Sequence, residues 1–235
     1  IDTCVLLHDP FAIYKFAEND IYIPLAVIDD LDDIKTRKER TVWLSKHFSY
    51  LLKENKILDI GCDEAPLRKL IGKQNYTGID FTGKPDVKIN LEAIKKLPYK
   101  AQAFDTVICI EVLEHLDNLH QISKDIFRVS NNNVLISLPN AWRDARVKIQ
   151  RGKGSIAHYG LPLEKPLDRH KWFFTTQEAI DFLKSIKPSN YEIKITLTQP
   201  KRNFLIMFFR KLRYSSSAYQ NKFCQTVWAE YKKVK

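Results

Sequence analysis

The chain has 235 residues, 44% of them hydrophobic, and a formal net charge of +10. That length suffices for one sizeable α/β domain with a full core, and so few Gly and Pro exclude a collagen-like or low-complexity chain. No apolar run approaches the roughly 20 residues of a membrane span, and no signal-peptide pattern is seen, so no stable membrane span and a cytoplasmic location are expected. The four cysteines, Cys4, Cys62, Cys109 and Cys224, have neither paired nor metal-like spacing, which suits buried thiols in a reducing compartment and no metal centre. Met207 is the single methionine, so Ile1 is not an initiator and the chain is expected to be processed or a fragment.

Charge is divided unevenly. Residues 1–36 hold eight carboxylates against Lys15 and Lys35, a net −6, so residues 37–235 carry +16. The shift marks Thr36–Arg40 as a boundary or linker. A basic body suits an anionic partner (nucleic acid, a phosphorylated substrate or an anionic membrane surface) or simply a solvated lysine-rich face. The opening IDTCVLLHDPFAIYKFAENDIYIPLAVIDDLDDIK resembles the start of a PIN domain of the kind joined to PhoH-type ATPases. The resemblance implies a short acidic β-α-β-like extension, with Asp2 on a first strand and Asp30 in the helix after the second. PIN nucleases gather about four acids around divalent metal. Only the opening of such a domain is present, so residues 1–36 are expected to be a remnant without nuclease activity.

Lys56 to Asp80 reads as strand, tight turn, short helix, second strand and acidic residue. Ile57, Leu58 and Ile60 form a buried strand, Gly61 turns the chain, and Pro66–Ile71 starts a helix. A second apolar run, Tyr76 to Ile79, ends in Asp80. A carboxylate roughly 20 residues after such a turn can take both hydroxyls of a ribose. Nucleotide-binding turns usually carry three glycines, whereas Asp63 and Ala65 occupy the other two positions here. An aspartate beside a pyrophosphate would repel it. A cofactor with a positive centre and no phosphate fits better, and S-adenosylmethionine is one.

Further strands follow at Asp86–Asn90, Phe104–Ile110 and Asn133–Leu138, with a helix from Asn118 to Val129 between the last two. Strands alternating with helices predict a parallel sheet whose ligand lies at the strands' carboxyl ends. Asp80, Asn90, Glu111 and Asn140 all fall at such ends. Thr175–Ile186 reads as a helix with a capping box made by Thr175 and Glu178. Tyr191–Leu197 alternates as a strand, and Phe223–Tyr231 reads as the last one. Asn203–Arg213 (NFLIMFFRKLR) is either a core-packing helix, the favoured reading, or an amphipathic lid or interfacial membrane contact.

Residues from about 40 to 235 resemble a class I S-adenosylmethionine-dependent methyltransferase of the type-11 or MetW-like sort. The residues that carry the likeness are ILDIGCDEAPL, YTGID, the NLE after the third strand, FDTVICIEVLEHLDN, VLISLPN and YGLPLEKPLDRHKWFF. The fold implied is a Rossmann-like sheet, mostly parallel with its last strand antiparallel, over residues 37–235. By the same resemblance Asp59 and Gly61 shape the turn around the methionine moiety and Asp80 binds the ribose. Asn90 and Leu91 flank the adenine, while Ile110 and Glu111 lie near the methionine amine and sulfonium.

Transfer to oxygen also needs a base. The candidates are His115, His158 with Tyr159, and Asp168-Arg169-His170, with His170 chosen first and His115 second. The DRHKWFF run is either a wall of the acceptor pocket or a structural corner with Trp172 and Phe173 in the core. The expected activity is methyl transfer to an oxygen of a small-molecule, glycan or lipid-linked acceptor. The alternatives are a cofactor-binding regulatory partner with little catalysis and a nucleic-acid-directed enzyme.

Overall fold

A computed structural model describes residues 42, 44–53, 56–152, 156, 158–166, 168–199 and 204–234. The chain divides into two units, Ile1–Leu52 and Lys53–Lys235, and the expected boundary at Thr36–Arg40 lies outside the described residues. The expectations for Asp2, Asp30 and the rest of the acidic opening lie outside the described residues. In the first unit residues 44–47 are helical, and Leu44, Phe48 and Leu51 are buried.

The second unit is built on a seven-stranded sheet. Its strands are β1 (Ile57–Ile60), β2 (Tyr76–Asp80), β3 (Val87–Lys88), β4 (Phe104–Ile110), β5 (Ser130–Pro139), β6 (Tyr191–Thr198) and β7 (Thr226–Lys233), in the order β3-β2-β1-β4-β5-β7-β6. The first five pair in parallel, and β7 runs antiparallel to both β5 and β6. β7 is therefore the one reversed strand, as the Rossmann-like reading expects. The order turns outward in both directions from β1 and β4, which makes a crevice between their carboxyl ends.

The strands are buried for a sequence reason. Ile57–Ile60 is buried throughout, as are Thr106–Cys109 and Asn133–Pro139, because a parallel sheet is covered on both faces. Leu58, Ile60, Val107, Cys109, Val134 and Ile136 share one core cluster with Leu119, Ile122, Ile126 and Val129. Those four lie on α2 (Leu119–Val129), at the helical spacing the sequence offers. Each such side chain contributes about 1.5–3 kcal/mol by leaving water.

The remaining helices are α1 (Arg68–Ile71), α3 (Ala141–Arg151), α4 (Thr176–Ser185), α5 (Phe204–Arg213) and α6 (Ser216–Phe223). The capping box on α4 is present: Glu178 N donates to Thr175 Oγ1 and Thr175 N to Glu178 Oε2. Phe223 ends α6 instead of opening the last strand. α5 is a helix, but it is not packed into the core on all sides. Leu205, Phe208, Phe209 and Leu212 are exposed, which corrects the core-packing reading. Trp172 and Phe173 are exposed too, so the DRHKWFF run is not a corner with its aromatics in the core. Among the described residues no helix is long and apolar enough to cross a membrane.

Candidate active site

The carboxyl edge of the sheet is shaped first by backbone. Gly61 follows β1 with φ +71°, and a Cβ there would stand 2.2 Å from Val112 Cγ2. The turns after β1 and β4 therefore meet at the switch point, and only glycine fits. Asp63 (φ +47°) and Ala65 (φ +51°) keep a left-handed backbone without being glycine. Glu111 at the end of β4 does the same at φ +51°. Aspartate tolerates this region, but alanine and glutamate are strained there by roughly 1–2 kcal/mol. Three of the four described non-glycine residues with positive φ thus border one crevice.

The carboxylates come next. Asp80 Oδ2 accepts from Asp63 N at 2.9 Å, and Oδ1 accepts from Phe81 N and Thr82 N. This carboxylate fixes the turn after β1 from the end of β2 and remains partly accessible. Asp59 is buried and accepts a 2.6 Å hydrogen bond from Tyr76 Oη; burial pushes its carboxyl up to about 7 despite that bond. Glu111 Oε1 accepts from Thr226 Oγ1 at 3.1 Å, which ties β4 to the start of β7. Asn90 caps the turn Leu91–Ala93 by accepting from Glu92 N, and Leu91 is buried. Leu91 O accepts from Asn118 Nδ2 at 2.9 Å. The turn Gly61–Pro66 (GCDEAP) holds two acids and no Lys or Arg. Such a donor set disfavours a pyrophosphate and suits a ribose diol and a sulfonium.

Beside this lies a histidine cluster. Leu113–His115 forms a tight turn after β4, with Glu114 fully buried. His115 Nδ1 lies 2.6 Å from Asp168 Oδ1, and its Nε2 lies 3.8 Å from Glu114 Oε1. His170 and His158 stack with centroids 4.5 Å apart, and His170 meets His115 edge-on at 4.4 Å. Tyr159 Oη and His170 Nδ1 are 2.6 Å apart. Main-chain bonds hold the segment against the turn, Lys171 N to Glu114 O at 2.9 Å and His170 N to His158 O at 3.2 Å. Lys171 Nζ pairs with Asp117 and Glu92, joining the cluster to the turn that follows Asn90. Burial pushes His170 down to about 3, helped by the like charges of His115 and His158 and opposed by Asp168. Partial burial acts to raise Asp168, but its contact with His115 and the charges of His158 and His170 outweigh it and hold the carboxyl below its ordinary value.

The structure thus brings His115, His158, Tyr159, Asp168 and His170 together. Asn140, which falls with Asp80, Asn90 and Glu111 at the ligand-bearing strand ends, is instead a buried cap. That side chain is fully buried; its Nδ2 donates to the carbonyls of Gln220, Asn221 and Cys224, and its Oδ1 accepts from Arg143 N. It caps α3 and clamps the end of α6. An asparagine directly before an amphipathic helix is itself a cap signal. The Asp59–Tyr76 pair, Glu114 and Thr226 were not singled out from the sequence. Glu114 adjoins His115 in EVLEH, but only folding brings Thr226 to Glu111. A shallow hollow of about 340 Å³, lined by Gln102, Arg128, Ser130 and Lys233 among others, lies at the sheet's opposite edge and holds none of these groups.

The comparisons with known proteins agree with the class of fold. Residues 58–138 match the family model of a methyltransferase domain, and residues 1–82 match that of a PIN domain. The two matches overlap on β1 and β2, which the structure pairs in the methyltransferase-like sheet. Among solved structures, the fold resembles a SAM-dependent methyltransferase from Archaeoglobus fulgidus at 14% identity, covering 84% of this chain and 94% of that one with a TM-score of 0.51. It also resembles magnesium protoporphyrin IX methyltransferase from Synechocystis, solved with bound SAH, at 12% identity, 98% and 97% coverage and a TM-score of 0.51. No curated protein matches. The methyltransferase resemblance drawn from the motifs is thus matched by a family model over residues 58–138, and the Rossmann-like fold it implied is shared with these structures.

Proposed function

We propose that the protein transfers the methyl group of S-adenosylmethionine to a hydroxyl oxygen of a small-molecule, glycan or lipid-linked acceptor, with His115 as the base. The observation that carries this reading is the His115–Asp168 pair, whose histidine sits on the turn after β4, four residues past Glu111. Asp80 takes the ribose hydroxyls. Asn90 and Leu91 flank the adenine. Asp59 and Gly61 shape the turn around the methionine, and Ile110 and Glu111 lie near its amine and sulfonium.

When bound, the cofactor supplies a methyl group on a positive sulfur. Glu111 favours that charge by Coulomb attraction, and more so in a dry site. Asp168 faces Nδ1 of His115, which leaves Nε2 to take the acceptor's proton. Toward an acceptor hydroxyl, Nε2 would take the proton, and Glu114 and Asp168 would stabilise the charged ring. His170, chosen first from the sequence, stays neutral and is a weak base at its depressed pKa; it positions the cluster through Tyr159 and His158.

Calorimetry with S-adenosylhomocysteine tests the cofactor half of this reading. Micromolar binding, about −8 kcal/mol, is expected. Asp80→Ala should weaken it by about 2–4 kcal/mol, because charge-assisted bonds to the ribose are lost along with those that hold the Asp63 turn. No heat with the unmodified protein would remove the cofactor assignment.

A further inference from the structure

Helix α5 presents its apolar stripe to water. Leu205, Phe208, Phe209 and Leu212 are 60%, 47%, 64% and 69% exposed. Their spacing, i, i+3, i+4 and i+7, is that of a single helix face, the face that normally meets a core. What holds the helix in place is the other side. Arg210 is partly buried, and its guanidinium lies 4.3 Å from the ring centroid of Phe223 on α6. Arg146 of α3 approaches the same ring at 5.8 Å, and Lys222 Nζ stands 4.9 Å from the ring centroid of Tyr214. The Arg210–Phe223 contact thus seats α5 on α6 with its leucines and phenylalanines outward.

Every charge in the segment that carries the stripe is basic. Between Glu192 and Glu230 the sequence has no acid, but it has Lys194, Lys201, Arg202, Arg210, Lys211, Arg213 and Lys222. On α3, which packs on α6, Trp142 and Ile149 are exposed one heptad apart and add apolar surface. The position is as telling as the chemistry. α5 and α6 are inserted between Thr198, the carboxyl end of β6, and Thr226, the start of β7, which pair with each other. Thr226 also pairs with Pro139, from which α3 departs. All three helices therefore rise from the edge that carries Glu111 and the histidine cluster.

We infer that this cap docks on an anionic membrane surface, with the α5 stripe entering the headgroup–acyl boundary and the basic residues meeting lipid phosphates. An apolar stripe on a segment with cations and no acid is the signature of an interfacial helix, and the one acid of neighbouring α3, Asp144, pairs with Arg143. Ten residues, about 15 Å, lie in such a boundary but do not cross it. A nucleic acid would use the cations but not four protruding apolar side chains. A second copy of the chain would set like charges against each other.

Co-sedimentation of the full chain with vesicles is the test. Vesicles of phosphatidylcholine with about 30 mol% phosphatidylglycerol should bind about tenfold more protein than phosphatidylcholine alone, and about 0.5 M salt should reduce the difference. Combined Leu205→Ser, Phe209→Ser and Leu212→Ser should abolish the binding, and Lys211→Ser with Arg213→Ser should weaken it severalfold. All five side chains point outward, so circular dichroism and S-adenosylhomocysteine binding should be unchanged. Vesicle binding that fails, or that ignores the triple substitution, overturns the docking and leaves the methyltransferase reading intact. Salt-dependent capture of an RNA oligonucleotide without vesicle binding, or a dimer in sedimentation velocity that the triple substitution dissolves, also overturns it. Failure to bind S-adenosylhomocysteine while vesicle binding persists counts against the enzyme reading alone.

Discussion

The two sides of the crevice are built by different means. On the cofactor side, the turn from Gly61 to Ala65 is held by backbone conformation and by Asp80, which gathers three main-chain N–H groups. On the acceptor side, two main-chain bonds dock the segment, but the chemistry of His115, His158, Asp168 and His170 is assembled by side-chain contacts between segments over 40 residues apart. A backbone-defined site keeps its shape when a side chain changes but fails when a Cβ is added. A cluster of side chains does the reverse: it can lose chemistry without losing the fold.

The sharpest way to break the comparison is His115→Gln. It should lower methyl turnover about 100- to 10,000-fold, the range of a lost general base, while S-adenosylhomocysteine binding is unchanged. The readout is single-turnover formation of the demethylated cofactor. His170→Gln should cost much less. Equal losses in the two variants would return the role of base to His170.

Gly61→Ala probes the opposite side. The added methyl meets Val112 at 2.2 Å on a backbone with φ +71°, so roughly 2–4 kcal/mol of stability should be lost. Val112→Ala in the same chain should restore the part due to the clash and leave the part due to φ. Denaturant unfolding of the pair separates the two. A Gly61→Ala protein as stable as its parent would mean the turns after β1 and β4 do not meet as described.

The same contrast explains what the sequence could and could not disclose. β4 is found where the run FDTVICI places it, and Thr175 and Glu178 cap α4 as their spacing requires. Strand-end residues such as Asp80 and Glu111 are legible because period and turn chemistry are local. Asn140 was misplaced because an exposed strand-end amide and a buried helix cap look alike until α6, some 80 residues on, supplies the carbonyls. The choice between His115 and His170 depends on burial and neighbouring charge, which only the assembled cluster provides. The outward face of α5 could not be read because an amphipathic pattern fixes a stripe without saying what meets it.

Asp59 gives a pH test within the cofactor side. Its folded pKa, about 7, lies above the ordinary 3.8, chiefly because of burial. The folded protein therefore binds more protons than the unfolded chain between these values, and stability falls as pH rises from about 4 to 7, then levels. Asp59→Asn removes that slope, a difference on the order of 3 kcal/mol between pH 4 and pH 8. The amide still accepts from Tyr76 Oη, so the slope is more informative than the absolute stability. Identical pH profiles for the two proteins would mean that Asp59 is hydrated or paired in the folded state.

The smallest effect expected is the most specific to this chain. Ala65 stands where nucleotide-binding turns carry a glycine, and it has kept the glycine's backbone, with φ +51° and its N–H donating to Cys62 O at 2.7 Å. Ala65→Gly relieves the left-handed strain, worth about 1 kcal/mol. It also gives up one buried methyl, worth about 0.8 kcal/mol, and frees the unfolded chain. If the strain is real, the terms nearly cancel, and Tm should move by no more than a few degrees. Alanine to glycine at an unstrained buried site should instead cost the methyl and the chain entropy together, well over 1 kcal/mol. A matched Ala145→Gly change on α3, where Ala145 is buried in a helix interior, supplies that reference. Equal losses at the two positions would show that Ala65 does not hold the left-handed turn, and the glycine-like cradle after β1 would have to be redrawn.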